Sequence, residues 1–502
     1  MEKDLLNLLD TQNKIMINML DLISESHRWY TVNEISHELN VVERTVQRYV
    51  HRLKELIDDY NEERNHHVSI SYEKYKGVLL EIDRGSNYME LKSYILENDE
   101  TMKIFKLIIF EEFQSISKYA AAEFVSENLV RKSLKKIKEF LNMYQLTLSR
   151  STFIIEGEEK QIRLIVYISG WIIFKGVTWP FDFISQDKVY LSVDSFSEEL
   201  EIGFSVIHRK QMAYMLAVNI LRLRKKHVIE MEEDWKTYAN LPKLIDRLPV
   251  LNTFIEDYNI YIESELYFYL ILIQLKPKLY ESTTYCDSVL NYHKKMNSNV
   301  YQATEQFMDL FSQKMIAIPN ELKERFFVTS FCAHLFCHLF SNIQVDIDGY
   351  MIFKDLENDY PNLKIELSNM IKELHQSNPD PLFLRENFLL QKYMLLFSSV
   401  LPLTYFEPII QVFLDTDLPY FVKNNVTEQI ANRFKYEFNI AFINENVLDT
   451  ADLILTNIPN VLEEELRFSN KVHLFEFPFS QRDFAEIERK MKGISQNRLI
   501  DI

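Results

Sequence analysis

Two stretches of this chain, 84 residues apart, carry the same pattern, and few architectures accommodate it twice. The first is Asn40–Ile57, NVVERTVQRYVHRLKELI. Stepping about 100° per residue from Val46 places Val50, Leu53 and Ile57 on one face, flanked by Tyr49 and Leu56. Arg44, Gln47, Arg48, His51 and Arg52 fall on the opposite face. The spacing predicts a helix that packs one side on a small core and turns a cationic, hydrogen-bonding side outward. Upstream, Thr31–Leu39 (TVNEISHEL) is a second short amphipathic segment, joined through a tight turn at Asn40–Val42. Two short helices with such a turn form a helix-turn-helix, whose second helix enters the DNA major groove. Arg and Gln suit that helix because they pair with base edges or phosphate oxygens. Taken alone, the stretch also fits a solvated amphipathic helix in any α-rich domain.

The repeat separates these readings. Shifted by 84 residues, the pattern returns as Phe124–Leu141, FVSENLVRKSLKKIKEFL. Val46 maps to Val130, Val50 to Leu134 and Leu53 to Ile137, while Arg48 maps to Lys132 and Arg52 to Lys136. Upstream, Val32 maps to Ile116 and Ile35 to Tyr119. Ser126 is placed to cap the second helix, where the first copy has Val42, a poor cap. Each copy is followed by β-like alternation, at His67–Ile82 with Gly77 near its turn, and at Leu146–Gly157. Helix-turn-helix plus β-ribbon is a winged helix, and its wing can also reach the duplex backbone. The expected DNA contacts are Arg44, Gln47, Arg48 and Arg52 in the first copy. In the second they are Arg131, Lys132, Lys135 and Lys136. The first set suits base readout; the second, richer in Lys, suits backbone affinity. Double-stranded DNA is the expected partner.

At 502 residues the chain forms several domains, and 47% hydrophobic residues make it globular. Only 8 glycines occur, and neither G-x-G-x-x-G nor G-x-x-x-x-G-K-[ST] is present, so nucleotide-dependent chemistry has no seat and no cofactor or enzymatic activity is expected. The net charge of −18 opposes general DNA binding, although both recognition stretches are locally basic. Weak single contacts of this kind call for avidity, hence a homodimer. The start, MEKDLLNLLD, is acidic and lacks a signal peptide's basic region, and Tyr267–Leu275 and Ile162–Phe174 are too short or too charged to span a membrane. Three cysteines, Cys286, Cys332 and Cys337, fit a reducing cytoplasm.

Asp4–Ser24 has helical spacing and leads into the first winged helix; Tyr88–Glu97 and Thr101–Glu112 lead into the second. Beyond Gly157 the texture changes to long, aromatic-rich amphipathic helices: Gln161–Phe174, Ser205–Lys226, Lys243–Tyr258, Ser264–Leu275, Val300–Gln313, Glu321–Asn342, Asn362–Gln376 and Leu382–Ser399. Prolines punctuate them, as in helical bundles. A boundary near Tyr285–Asn299 divides the region into two bundles, with Ser205–His227 and Glu321–Phe340 as corresponding helices. The tail alternates short apolar runs (Ile409–Leu414, Phe438–Ile443, Ala451–Thr456, Val472–Phe477) with helical segments (Tyr420–Glu437, Asn460–Phe468, Gln481–Lys492). That alternation predicts a small α/β domain with a mainly parallel sheet. The fold class is thus mainly α and multidomain, with two N-terminal winged units and a C-terminal α/β domain.

This layout resembles the Mga-type virulence regulators of Gram-positive bacteria over essentially the whole chain. The resemblance rests on domain order and on TVQRYVHRL, EGEEKQIRL at Glu156–Leu164 and TWPF at Thr178–Phe181. It implies winged units over 1–90 and 91–160, phosphotransferase-regulation domains over 161–288 and 289–402, and a domain like the sugar phosphotransferase IIB component over 403–502. It also implies a cytoplasmic, dimeric activator that answers to carbohydrate status through phosphocarrier proteins, HPr or a IIB component.

Regulation domains of this kind accept phosphate on histidine, through an unprotonated ring nitrogen. His208, in SVIHRKQMAYML, matches the family position best, with His227 second; beside Met212 and Met215 it reads equally as a partly buried core histidine. The second bundle offers His334 and His338, although the register equivalent to His208 falls near Leu322. His334, Cys337 and His338 also share a helix face at zinc-chelating spacing, which Cys fillers in a buried aromatic helix explain as well; no metal is expected. The loop after the tail's first strand, Asp415–Pro419, lacks the IIB cysteine, so no phosphocysteine transfer is expected. Two competing readings remain. An RNA-binding antiterminator shares the regulation domains but starts with a β-rich RNA module, and a phosphotransferase enzyme requires the missing cysteine.

Overall fold

A computed structural model describes residues 2–64, 67–83, 88–240, 262–343, 345–349, 359–378, 380–444, 450–458 and 471–500. The chain forms two compact units, Met1–Gln302 with Phe331–Met351, and Ala303–Ser330 with Ile352–Ile502.

The first unit opens with α1 (Glu2–Leu6) and α2 (Thr11–Ser24). A first helix-turn-helix follows, α3 (Val32–Glu38) and α4 (Glu43–Arg64), then a hairpin of β1 (Val68–Glu73) and β2 (Gly77–Ile82) in the register Val68↔Ile82. Tyr30 bridges Val78 on the hairpin's free edge, completing a small winged helix. Helices α5 (Tyr88–Asn98) and α6 (Glu100–Ile109) introduce the second copy: α7 (Ile116–Ala122), α8 (Glu127–Met143) and a short ribbon of β3 (Thr147–Leu148) and β4 (Ile155–Glu156).

The 84-residue repeat extends to backbone geometry. Thr31 caps α3 through Glu34 N, and Ser115 caps α7 through Lys118 N. In both turns one residue is left-handed, Asn40 at φ 49° and Phe124 at φ 55°. The next residue's N–H reaches back to the same place: Val41 to Ser36 O and Val125 to Ala120 O, both 3.0 Å. Such bonds satisfy carbonyls that the helix end leaves open. The buried faces also correspond, Val46, Val50 and Leu53 with Val130, Leu134 and Ile137.

The helical body of this unit contains α9 (Glu159–Phe174), α10 (Gln186–Glu199), α11 (Val206–Arg224), α12 (Trp235–Tyr238), α13 (Glu263–Ile273) and α14 (Thr283–Met296). Its centre is ionic. Arg163 and Arg222 are each about 2% exposed in their side chains. Arg163 makes a bidentate pair with Glu265 at 2.6 and 2.8 Å and reaches Glu159 at 3.0 Å. Arg222 grips the same Glu159 at 2.9 and 2.7 Å and pairs with Glu111, in the turn before α7. Burial alone raises the Glu159 carboxyl pKa, yet the guanidiniums of Arg222 and Arg163 hold it below its ordinary value.

Helix α14 covers the residues where the sequence pattern places a boundary between bundles; Tyr285, Cys286, Val289 and His293 bury its inner face. The division between compact units falls within α15 (Asn299–Lys314) and α16 (Lys323–Leu339). The segments Lys243–Tyr258 and Asn460–Phe468, expected as helices, lie outside the described residues.

The second unit carries α17 (Pro361–Ser377) and α18 (Glu386–Ser398), then β5 (Ile409–Asp415), α19 (Tyr420–Phe434), β6 (Asn439–Ile443), β7 (Leu453–Thr456), β8 (Val472–Leu474) and α20 (Gln481–Ile500). The four strands are parallel in the order β6-β5-β7-β8. Alternate residues of β5 explain why the run is apolar throughout: Ile410, Val412 and Leu414 pack with Val426, Ile430, Phe434 and Ile487, and Phe413 packs with Ala451 and Ile454. The fold is therefore mainly helical and multidomain, with N-terminal helix-turn-helix units and a C-terminal parallel sheet. Cys286, Cys332 and Cys337 are all buried, and none pairs in a disulfide. Among the described residues no helix is long and apolar enough to cross a membrane.

Removing one partner from a buried ion network strands the others without water. Arg222→Ala is expected to destabilise the first unit by about 3–5 kcal/mol, measured by urea unfolding. An exposed control, Arg52→Ala, should change stability by about 0.5 kcal/mol or less.

Candidate nucleic-acid interface

Arg44, Gln47, Arg48, His51, Arg52 and Lys54 are exposed along the first three turns of α4, opposite buried Val46, Val50, Leu53 and Ile57. The end of the helix turns acidic, with exposed Asp58, Asp59, Glu62 and Glu63, so only its N-terminal half suits phosphate. Arg44 and Gln47 make no hydrogen bond or ion pair among the described residues. The Arg48 guanidinium lies 4.8 Å from the Tyr49 ring centroid, and Arg52 forms an exposed pair with Glu55 at 3.2 Å. Such a surface pair is worth little and yields readily to phosphate.

On α8, Ser126 caps the helix by accepting from Leu129 N at 3.2 Å. Arg131 is exposed and pairs with Glu127 at 3.0 Å; Lys135 is exposed, 3.8 Å from Glu139. Lys132 is exposed and makes no hydrogen bond or ion pair among the described residues. Lys136 differs. It is half-buried, and its ammonium donates to Leu8 O at 3.2 Å and Leu9 O at 2.6 Å. Seven of the eight expected cationic or amide contacts thus face solvent, and the eighth is turned onto the chain's own N-terminal segment.

The pattern also left out cations at the wing tips. Lys74, Tyr75 and Lys76 form the exposed turn of the first ribbon, with Tyr75 92% exposed. Lys76 pairs with Glu73 at 2.8 Å and lies 5.2 Å from the Trp29 ring centroid. Arg150 is exposed in the turn of the second ribbon. A Lys-aromatic-Lys triplet just before the turn glycine was the available signal. Gly77 itself is required: its φ is +102°, and an added Cβ would lie 2.0 Å from Tyr30 O.

The candidate histidines divide by burial. His208 is half-buried in the first turn of α11, with Nδ1 2.9 Å from Ser205 Oγ, whereas Met212 and Met215 are in the core. The first turn lies at the rim of the bundle, so the ring is partly buried and partly open to solvent. His334 is fully buried and offers no surface to a phosphocarrier. His338 is half-buried, with Nε2 2.7 Å from Asp234 Oδ2 and 3.0 Å from Tyr238 Oη. His334, Cys337 and His338 do not converge on a common point. The ligand atoms that do lie within 4.8 Å of one another belong to Glu232, Asp234 and His338. Lys160 already pairs with Glu232, and Tyr238 donates to Asp234, so these groups satisfy one another. Burial pushes the His293 pKa down to about 3, and its ring nitrogens contact Ser298 Oγ and Gln274 Oε1.

Two linked winged units with outward cationic recognition helices define a tandem helix-turn-helix protein. Residues 10–62 match the helix-turn-helix domain of the M protein trans-acting positive regulator, and residues 85–168 match the Mga helix-turn-helix domain. Over these residues the chain is similar to the Mga-type regulators. Among curated relatives it is 19% identical over 329 residues to the capsule synthesis positive regulator AcpB of Bacillus anthracis, covering 63% of each chain. It is 21% identical to the capsule synthesis positive regulator AcpA of the same organism, over 43% of this chain and 44% of the relative. It is 22% identical to the anthrax toxin expression trans-acting positive regulator of Bacillus anthracis, over 43% of each. The matched regions thus span less than two thirds of each relative's length.

Gly77→Ala should destabilise the first winged unit by about 1–3 kcal/mol, seen as a lowered melting temperature, because the residue must hold a left-handed backbone against Tyr30 O.

Proposed function

We propose that the chain is a DNA-binding transcription activator, acting as a homodimer on virulence, capsule or surface-protein genes. The observation that carries this reading is the doubled helix-turn-helix, with matching caps and turns and with exposed cations on both second helices. The relatives named as positive regulators of capsule synthesis and toxin expression support activation as the output. Arg44, Gln47 and Arg48 supply base readout. Arg131, Lys132 and Lys135, with Lys74, Lys76 and Arg150 on the wings, supply phosphate contacts. Loss of one phosphate-binding cation should lower the salt slope of log K by about one per protomer, so Lys132→Ala should flatten it while leaving sequence preference intact. Arg48→Ala should cost about 1–3 kcal/mol and relax preference at one base step. Wild-type DNA affinity and salt slope in both variants, measured by gel shift on promoter duplexes, would remove this reading.

Carbohydrate control through the helical bundles belongs to the same proposal, with HPr or a IIB component as donor. His208 is the acceptor that geometry favours: it sits at a helix start on the rim, with Nδ1 engaged by Ser205 and Nε2 bonded to no described residue. The phosphoryl group passes from the phosphohistidine of HPr, or the phosphocysteine of a IIB component, to Nε2, which must be unprotonated to attack. The product adds roughly −1.5 to −2 charges beside Arg209 and Lys210, enough to rearrange local ion pairs. His338 follows as a second candidate, once its bond to Asp234 opens. His208→Ala should abolish most label uptake from phosphorylated HPr and change sugar-dependent transcription. Unchanged uptake and transcription would leave His208 a surface residue.

A further inference from the structure

The N-terminal segment belongs by sequence to the first winged helix, yet its ends are bonded to the second. Asp99, 1% exposed, is the hub. One carboxylate oxygen caps α6, accepting from Thr101 N at 2.8 Å and Met102 N at 3.2 Å. The other accepts from Asp10 N at 3.1 Å and Asn13 Nδ2 at 2.9 Å. Asp10 in turn caps α2 through Asn13 N at 2.7 Å. Two helices, one from each winged unit, therefore start from back-to-back caps on a shared carboxylate.

Both ends of the segment are fastened. Tyr144 Oη donates to Asp4 Oδ2 at 2.9 Å, and Lys136 binds the carbonyls of Leu8 and Leu9 just beyond α1. Leu5, Leu8 and Leu9 are buried beneath. At the far end of α2, Asp21 receives Tyr88 Oη at 2.6 Å and Lys92 Nζ at 3.2 and 3.1 Å, both from α5. Lys136 is also the repeat equivalent of Arg52, which is exposed. The same register position thus serves the outer face in one copy and a fastening in the other.

We propose that residues 2–24 are a strap that locks the two winged units into one rigid reader, so that the chain recognises two duplex subsites at one fixed spacing and phase. The inference rests on the DNA-binding reading above. Each inserted base pair shifts one subsite by about 3.4 Å and turns it by roughly 35°, given a helical repeat of about 10–10.5 base pairs. Units on a flexible link would follow that displacement. Units held by a buried carboxylate and a burial of leucines would not, and the second unit's contribution would be lost.

The test uses the full chain and duplexes that the wild-type protein itself retains from a random library. Insertion of two base pairs between the two protected subsites should weaken wild-type binding about tenfold or more. The double variant Lys136→Met/Tyr144→Phe keeps the apolar stems and removes the polar fastenings. Its spacing penalty, the ratio of affinities on spaced and original duplexes, should fall below about threefold. Using a ratio cancels any direct contact of Lys136 with DNA. A second variant, Asn13→Ala, should move the ratio the same way without opening the core. Amide exchange at Asp10 should accelerate in both variants, which verifies loosening without DNA. A wild type that tolerates insertions, or loosened variants that keep the full penalty, would overturn the strap while leaving DNA binding in place. Failure to retain any duplex would instead remove the DNA-binding reading, and the strap with it.

Discussion

The helical body of the first compact unit is organised around a chain of five charges, Glu111–Arg222–Glu159–Arg163–Glu265, with both arginines and Glu265 buried and the other two carboxylates partly so. Taking one such ion out of water costs several kcal/mol, and only complete pairing offsets it. Arg163 meets this demand with Glu159, Glu265, Asn219 Oδ1 and His227 O, which leaves its guanidinium a single seating. Because Glu111 lies in the turn before α7, the second helix-turn-helix cannot tilt without breaking Arg222 from its partners. Aromatic rings repeat the connection nearby. Phe110, at the end of α6, meets Phe181 at 5.6 Å, and Phe181 in turn packs on Trp179 at 4.9 Å and Tyr214 at 5.4 Å. The segments EGEEKQIRL and TWPF supply Glu159, Arg163, Trp179 and Phe181, so both motifs are joints between the DNA-facing part and the helical body.

What the sequence made legible was periodic. Helical spacing located α3, α7, α8, α9, α11 and α13 to within a few residues, and the start but not the end of α4, which runs on past Ile57 to Arg64; unbroken apolar runs located β5, β6 and β7. The repeat identified paired caps and turns because local hydrogen bonding between near neighbours determines them. What stayed hidden was carried by distant partners. A helical wheel places Lys136 on the outer face, but its acceptors, Leu8 O and Leu9 O, come from a segment about 130 residues away that no pattern connects to it. Helices α10 and α14 were missed because each buries few side chains. Val189, Val193 and Phe196 in one, and Tyr285, Cys286, Val289 and His293 in the other, leave mostly polar sequence. His208 stands one helical turn before Met212, and that single turn separates a half-buried position from the core.

The second unit follows a different logic. Its central strands, β5 and β7, are largely buried on both faces, so they carry little polar information, and chemistry is confined to the strand ends. At the end of β5 the chain offers Asp415, Thr416 and Asp417, and Asn457 after β7 donates to Asp417 at 2.6 Å. That loop is held by its own neighbours, without a thiol.

The three cysteines have a consequence of another kind. Cys286, Cys332 and Cys337 all lie in the interior, and Cys332 Sγ is turned toward Gln274 O. None of the three thiols reaches the surface, so alkylating agents and glutathione meet no ready cysteine on the folded protein. For the same reason, a single cysteine placed on either recognition helix or wing would be the one thiol open to a spectroscopic label, in an otherwise native background.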